Sequence, residues 1–182
     1  MTLTLTHLVA LLPLILVCVT AIVVMLGIAW RRHHSGTAFA TVVGLNLALF
    51  SLLIVWQVAP LETPLLAVDG LAMFAAVLIL VSSLACATLA HAYLEHYQGP
   101  REEFYLLLLC AAAGGLVLSA SQHLATLFFG LELLSMPLYG MLAYTFHERR
   151  SLEAGIKYLV LSAGVPPFCC SAWRCFMPRP DA

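Results

Sequence analysis

Glu132 is the only residue with a formal charge in the 21-residue stretch from Leu124 to Tyr144, LATLFFGLELLSMPLYGMLAY. About 20 apolar residues in a helix span a bilayer core of roughly 30 Å. As the ninth residue of the stretch, Glu132 would sit on the order of 12 Å into that core. Inserting a carboxylate at mid-bilayer costs about 2.5 to 3.5 kcal/mol, so such a group usually faces a partner or internal water. Pro137 follows five residues later. It offers no N–H to the carbonyl of Leu133, which predicts a kink beside the acid. An acid and a kink together in mid-membrane point to a proton or ion site. The competing reading is a neutral, hydrogen-bonded Glu that joins two helices.

Two further groups could take part in such chemistry. Glu153 and Lys157 are four residues apart, with the acid on the N-terminal side, the better order for a pair on one helix face. Lys157 could equally snorkel its ammonium to the headgroups. His123 lies at the mouth of the Glu132 stretch and is a candidate relay, although a histidine in a surface turn is commonly just solvated. His91, His96 and His147 read the same way.

The elements that must hold these groups are membrane helices. Of 182 residues, 63% are hydrophobic and 9% charged, with a mean hydropathy of +1.01. Soluble domains carry about 25% charged residues, so the composition reads as an all-α, polytopic membrane bundle. Apolar runs place helices at Leu8–Trp30, Ala38–Ala59, Leu71–Tyr93, Phe104–Ser121 and Leu124–Tyr144, with a sixth beginning near Leu152. The first run lacks a preceding Lys or Arg and is too long for an ordinary cleavable signal. Asn46 is most simply a hydrogen bond between helices, and Gly114 and Gly115 allow close backbone approach. Cys18, Cys86 and Cys110 read as small buried hydrophobes. Without Cys-x-x-Cys or Cys/His ligand spacing, no metal, haem or iron–sulfur cluster is expected. The net charge of −1 and the lack of a basic patch give no sign of nucleic-acid binding.

Basic residues are confined to alternate loops. Arg31, Arg32, Arg101, Arg149 and Arg150 occupy loops one, three and five, while the N-terminus and loops two and four have no Lys or Arg. Short loops rich in Lys and Arg stay cytoplasmic, so the N-terminus is expected to be periplasmic. Residues 164–182, GVPPFCCSAWRCFMPRPDA, then change character, with three of the six Cys and four of the nine Pro. Pro166 and Pro167 would fall in the middle of the sixth helix and oppose it. This tail is expected to be an out-of-frame product, with a genuine short tail as the alternative.

The runs HLATLFFGLELLSMPLYGMLAY and HERRSLEAGIKYLVLSA, with VDGLAMF at Val68–Phe74 and the loop from Tyr97 to Glu103, resemble subunit N of the bacterial proton-translocating NADH:quinone oxidoreductase, respiratory complex I. The wording is closer to subunit N than to subunits L and M or the Mrp-type cation/proton antiporters. The resemblance implies that residues 1–103 form an N-terminal three-helix segment and that residues 104–163 begin the proton-translocating domain. It implies that Glu132 is the proton-channel glutamate of the fifth helix and that Lys157, beside Glu153, is the lysine of the sixth. It implies location in the bacterial inner membrane, with other membrane subunits of complex I and the lipid bilayer as partners. No cofactor is expected in this subunit, since NAD, FMN, iron–sulfur clusters and quinone belong to the rest of the complex. Members of the family carry two inverted helix repeats. The chain as written would then be an incomplete version of that fold, expected not to pump. A purely structural scaffold and an Mrp-type antiporter subunit are the alternatives.

The loop charges make a direct prediction. A reporter fused after Arg150 should read as cytoplasmic and one fused at the N-terminus as periplasmic. Periplasmic activity from the Arg150 fusion would overturn this orientation.

Overall fold

The computed structural model describes residues 9–30, 34–56, 61, 62, 66–94, 102–142 and 149–163. Its elements in chain order are α1 (Leu12–Trp30), α2 (His34–Val55), β1 (Leu61–Glu62), β2 (Ala67–Val68), α3 (Gly70–Leu94), α4 (Glu102–Ser119), α5 (Leu124–Leu142) and α6 (Arg149–Ala163). The described residues are therefore almost wholly helical, and α1 to α5 are each long and apolar enough to cross a membrane. Helix α6 has 15 described residues, a rise of about 22 Å. Its continuation, and the tail expected to be out of frame, lie outside the described residues. Two compact units divide after Leu138.

Helix α2 is described to Val55, and the Trp56 amide still donates to the Leu52 carbonyl, at 2.9 Å; the expected end at Ala59 lies outside the described residues. The segment between α2 and α3 contains a small antiparallel pairing of β1 with β2, Leu61 opposite Val68 and Glu62 opposite Ala67. This pairing is tied to the turn between α4 and α5. The Ala67 amide donates to the Ala120 carbonyl at 2.8 Å, and Leu66 bridges Ser121.

Within the first unit α4 is the central helix, packed against α1, α2 and α3. Tyr105 and Leu109 are fully buried, and Leu108, Ala112, Ala113 and Leu116 are nearly so. The outer surface is the apolar one, with Trp30, Phe39, Leu71 and Leu89 widely exposed. That is the arrangement lipid requires and water forbids. Cys18 and Cys86 also lie on exposed faces, contrary to the expectation of burial. In a bundle surrounded by lipid, a small apolar side chain gains little by facing inward.

Hydroxyls inside these helices turn back on their own backbone. Thr41 donates to the Thr37 carbonyl at 2.8 Å, Ser83 to Ile79 at 2.7 Å and Ser51 to Ala48 at 2.7 Å. Asn46 does the same. Its Nδ2 donates to the Val42 carbonyl at 2.7 Å, so the expected bond to another helix is replaced by one within α2. A carbonyl one turn back is always within reach of a short polar side chain, and satisfying it needs no partner helix.

Helices α4 and α5 meet as an antiparallel pair through reciprocal glycines. A Cβ added to Gly114 would lie 2.5 Å from the Leu134 backbone N, and one added to Gly130 would lie 2.9 Å from the Leu118 backbone N. Each glycine thus faces the backbone at a leucine of the other helix, the close approach expected of small residues in membrane interfaces. Gly27 on α1, by contrast, has nothing within 4 Å of such a Cβ. Gly114→Ala should therefore destabilise the chain by about 1–3 kcal/mol. Gly27→Ala should stabilise it by about 0.5–1 kcal/mol through backbone entropy. Reversible unfolding in mixed micelles measures both, and equal effects would refute the close crossing.

Candidate functional site

The contact with α4 decides how α5 presents its polar residues. Gly130 and Pro137 are the buried residues of α5, and Leu134 meets Gly114. All three fall on one side of the helix. Glu132, two residues beyond Gly130, is rotated from it by about 200°. The acid therefore lies on the side of α5 turned away from α4. It is half-buried there, between Phe129, 74% exposed, and Met136, 66% exposed. Among the described residues its carboxylate has no hydrogen-bond or ion-pair partner.

Pro137 does not end α5, which runs on to Leu142. Its ring removes the amide that would bond the Leu133 carbonyl. One turn earlier, Ser135 Oγ donates to the Leu131 carbonyl at 2.8 Å and approaches the Glu132 carbonyl at 3.3 Å. Such back-bonding accompanies bent and proline-interrupted membrane helices. The backbone of α5 is thus held by side-chain bonds in the turn that carries the acid.

At the start of the same helix His123 is exposed. Its Nδ1 accepts the backbone N–H of Ala125 at 3.3 Å, and its own carbonyl accepts the Leu127 amide at 2.9 Å. Sequence reasoning offered His123 as a relay and missed this local role. The position, immediately before an apolar helical run, is the signal that could have found it.

The second unit holds the remaining candidates. Lys157 Nζ donates to Glu153 Oε1 at 2.5 Å across one turn of α6, the pairing expected from their spacing. Both side chains are more than half exposed. Also in this unit, the Tyr139 hydroxyl is hydrogen-bonded to Ser162, and the rings of Tyr139 and Tyr158 meet edge-on at 5.5 Å between centroids. These hydroxyls had drawn no attention in the sequence, because a lone Tyr or Ser in an apolar helix has no characteristic spacing.

Residues 121–164 match the family profile described as NADH:quinone oxidoreductase/Mrp antiporter, TM. Among characterised relatives, the NADH-quinone oxidoreductase subunit N of Chromohalobacter salexigens is 72% identical over 164 residues. The subunit N of Ectopseudomonas mendocina is 60% identical over 168 residues. These alignments take in 90% and 89% of this chain, and 34% of each relative. The chain thus spans about a third of the length of the relatives it matches. A chain in the structure of respiratory complex I from Thermus thermophilus with bound aureothin superposes with a TM-score of 0.73 at 34% identity. That match covers 86% of this chain and 34% of that one. In sequence the chain is similar to about a third of subunit N of the NADH-quinone oxidoreductases, the family to which the motifs around Glu132 and Lys157 pointed, and in fold to about a third of a chain of respiratory complex I.

Proposed function

We propose that this chain contributes to a membrane subunit of a bacterial inner-membrane NADH:quinone oxidoreductase, in which it takes part in proton translocation coupled to electron transfer from NADH to quinone. Glu132 is the proton-carrying group. The single observation that supports this reading is a carboxylate in the middle of an apolar membrane helix, without a protein partner among the described residues. Charge at that depth is costly, so the group gains stability by taking up a proton or by meeting a cation.

Around it the other groups have separate tasks. Pro137 and Ser135 hold the local bend of α5. Lys157, with Glu153 as counter-ion, supplies a second protonatable position on α6. The chain's own residues bind no redox cofactor in this reading. NADH, FMN, iron–sulfur clusters and quinone belong to partner subunits of the complex, and the surrounding bilayer is the other partner. A division into an N-terminal segment over residues 1–103 and a translocating segment over residues 104–163 belongs to the same proposal.

The test is Glu132→Gln in a full-length subunit assembled into the complex. Proton transfer per NADH oxidised should fall several-fold while the assembled complex remains intact. Unchanged proton transfer with intact assembly would leave only a scaffold. Lys157→Met should lower proton transfer as well, yet change stability by less than about 1 kcal/mol, because an exposed ion pair contributes little. Thermal unfolding of the purified variant measures the second quantity.

A further inference from the structure

Tyr158 and Ser162 of α6 are four residues apart and so share one side of the helix. Both meet one residue of α5, Tyr139. Its hydroxyl is hydrogen-bonded to Ser162, and its ring meets that of Tyr158 edge-on at 5.5 Å between centroids. Ser162 Oγ also donates to the Leu159 carbonyl of its own helix at 3.3 Å, which leaves the Tyr139 hydroxyl as the donor between the two helices. An edge-on pair is attractive through the ring quadrupoles, and the hydroxyl bond orients the tyrosine further. Tyr139 thus holds one side of α6 at two points a turn apart. By the helical repeat, Lys157 is rotated from Tyr158 by about 100° and from Ser162 by about 140°. Glu153 is farther round still, by about 140° and 180°. We propose that Tyr139 is a positioning residue for Lys157: by holding the Tyr158–Ser162 side, it fixes the rotation of α6 and keeps the Lys157–Glu153 pair turned away from itself.

Other features of α6 do not choose a side. The ion pair of Lys157 with Glu153 lies within the helix and turns with it. Ile156, Leu159, Val160 and Leu161 are exposed and lie all round the helix, and lipid receives an apolar side chain equally well on any of its sides. The bond between Tyr139 and Ser162 is directional, and lipid offers no substitute for it. The rotation of α6 therefore follows Tyr139. The consequence for proton transfer rests on the reading of Lys157 as a second protonatable position; the rotation itself does not.

Lys157 is the only lysine of the chain, so acylation by a membrane-permeant amine-reactive ester, read by mass spectrometry, reports how its amine is presented. In the full chain in lipid nanodiscs, Tyr139→Phe and Ser162→Ala should each slow this labelling about threefold, because a helix free to turn presents that side only part of the time. Ser162→Thr keeps a hydroxyl and should label as the unmodified chain does. A variant in which α6 merely unravelled would label faster, so the direction separates positioning from loss of structure. Unchanged or faster labelling in Tyr139→Phe would overturn the proposal, as would a fall that Ser162→Thr shares with Ser162→Ala. In the full-length subunit assembled into the complex, Tyr139→Phe should lower proton transfer per NADH oxidised about twofold and add no loss to Lys157→Met, since residues that act through one group are not additive. Additive losses would also overturn it. Labelling needs no turnover, so its result holds whether or not Lys157 carries protons.

Discussion

Gly114 of α4 and Leu134 of α5 approach backbone to backbone, and Gly130 and Leu118 repeat the contact one turn away in the opposite sense. Two helices in lipid gain nothing by hiding apolar surface from each other. They associate through close packing, which small residues permit. Here that packing also orients. Once Gly130, Leu134 and Pro137 are committed to one side of α5, Glu132 is committed to the other by the helical repeat alone. An acid facing α4 would have met a wall of buried Leu and Ala, with no group to share its proton.

The polar groups of the bundle follow a single logic. Lipid offers no hydrogen bonds, and several short polar side chains inside the helices are satisfied by the nearest carbonyl of their own helix. Thr41, Asn46, Ser51 and Ser83 all do this. Glu132 cannot do so, because a carboxylate accepts and the helix interior has no free amide to give it. This difference, and not hydrophobicity as such, sets the acid apart from the other polar residues in a chain so uniformly apolar.

Pairing outside the helices has a comparable role at one end of the bundle. The short β1–β2 hairpin holds the α4–α5 turn through the Ala67–Ala120 bond and the Leu66–Ser121 bridge. The start of α5 is thereby tied to the segment that leads into α3. His123 completes that start with its own ring, so the entry to the acid-bearing helix depends on one strand pairing and one imidazole.

The sequence by itself determined the helical membrane character, the places of the five long helices to within about four residues, and the pairing of Glu153 with Lys157. Each follows from local quantities: apolar run length, proline position and a four-residue repeat. Glu132 was legible as well, since one charge in 21 residues needs no tertiary structure to stand out. The side of α5 on which the acid lies was not legible, because an all-round apolar helix carries no stripe to mark its packed face. The hairpin under the turn, the bond of Asn46 within its own helix and the exposed positions of Cys18 and Cys86 were not legible either. In water the hydrophobic pattern marks inside from outside. In a bilayer both sides are apolar, so only the backbone contact at Gly114 and Gly130 decides which way the helix turns.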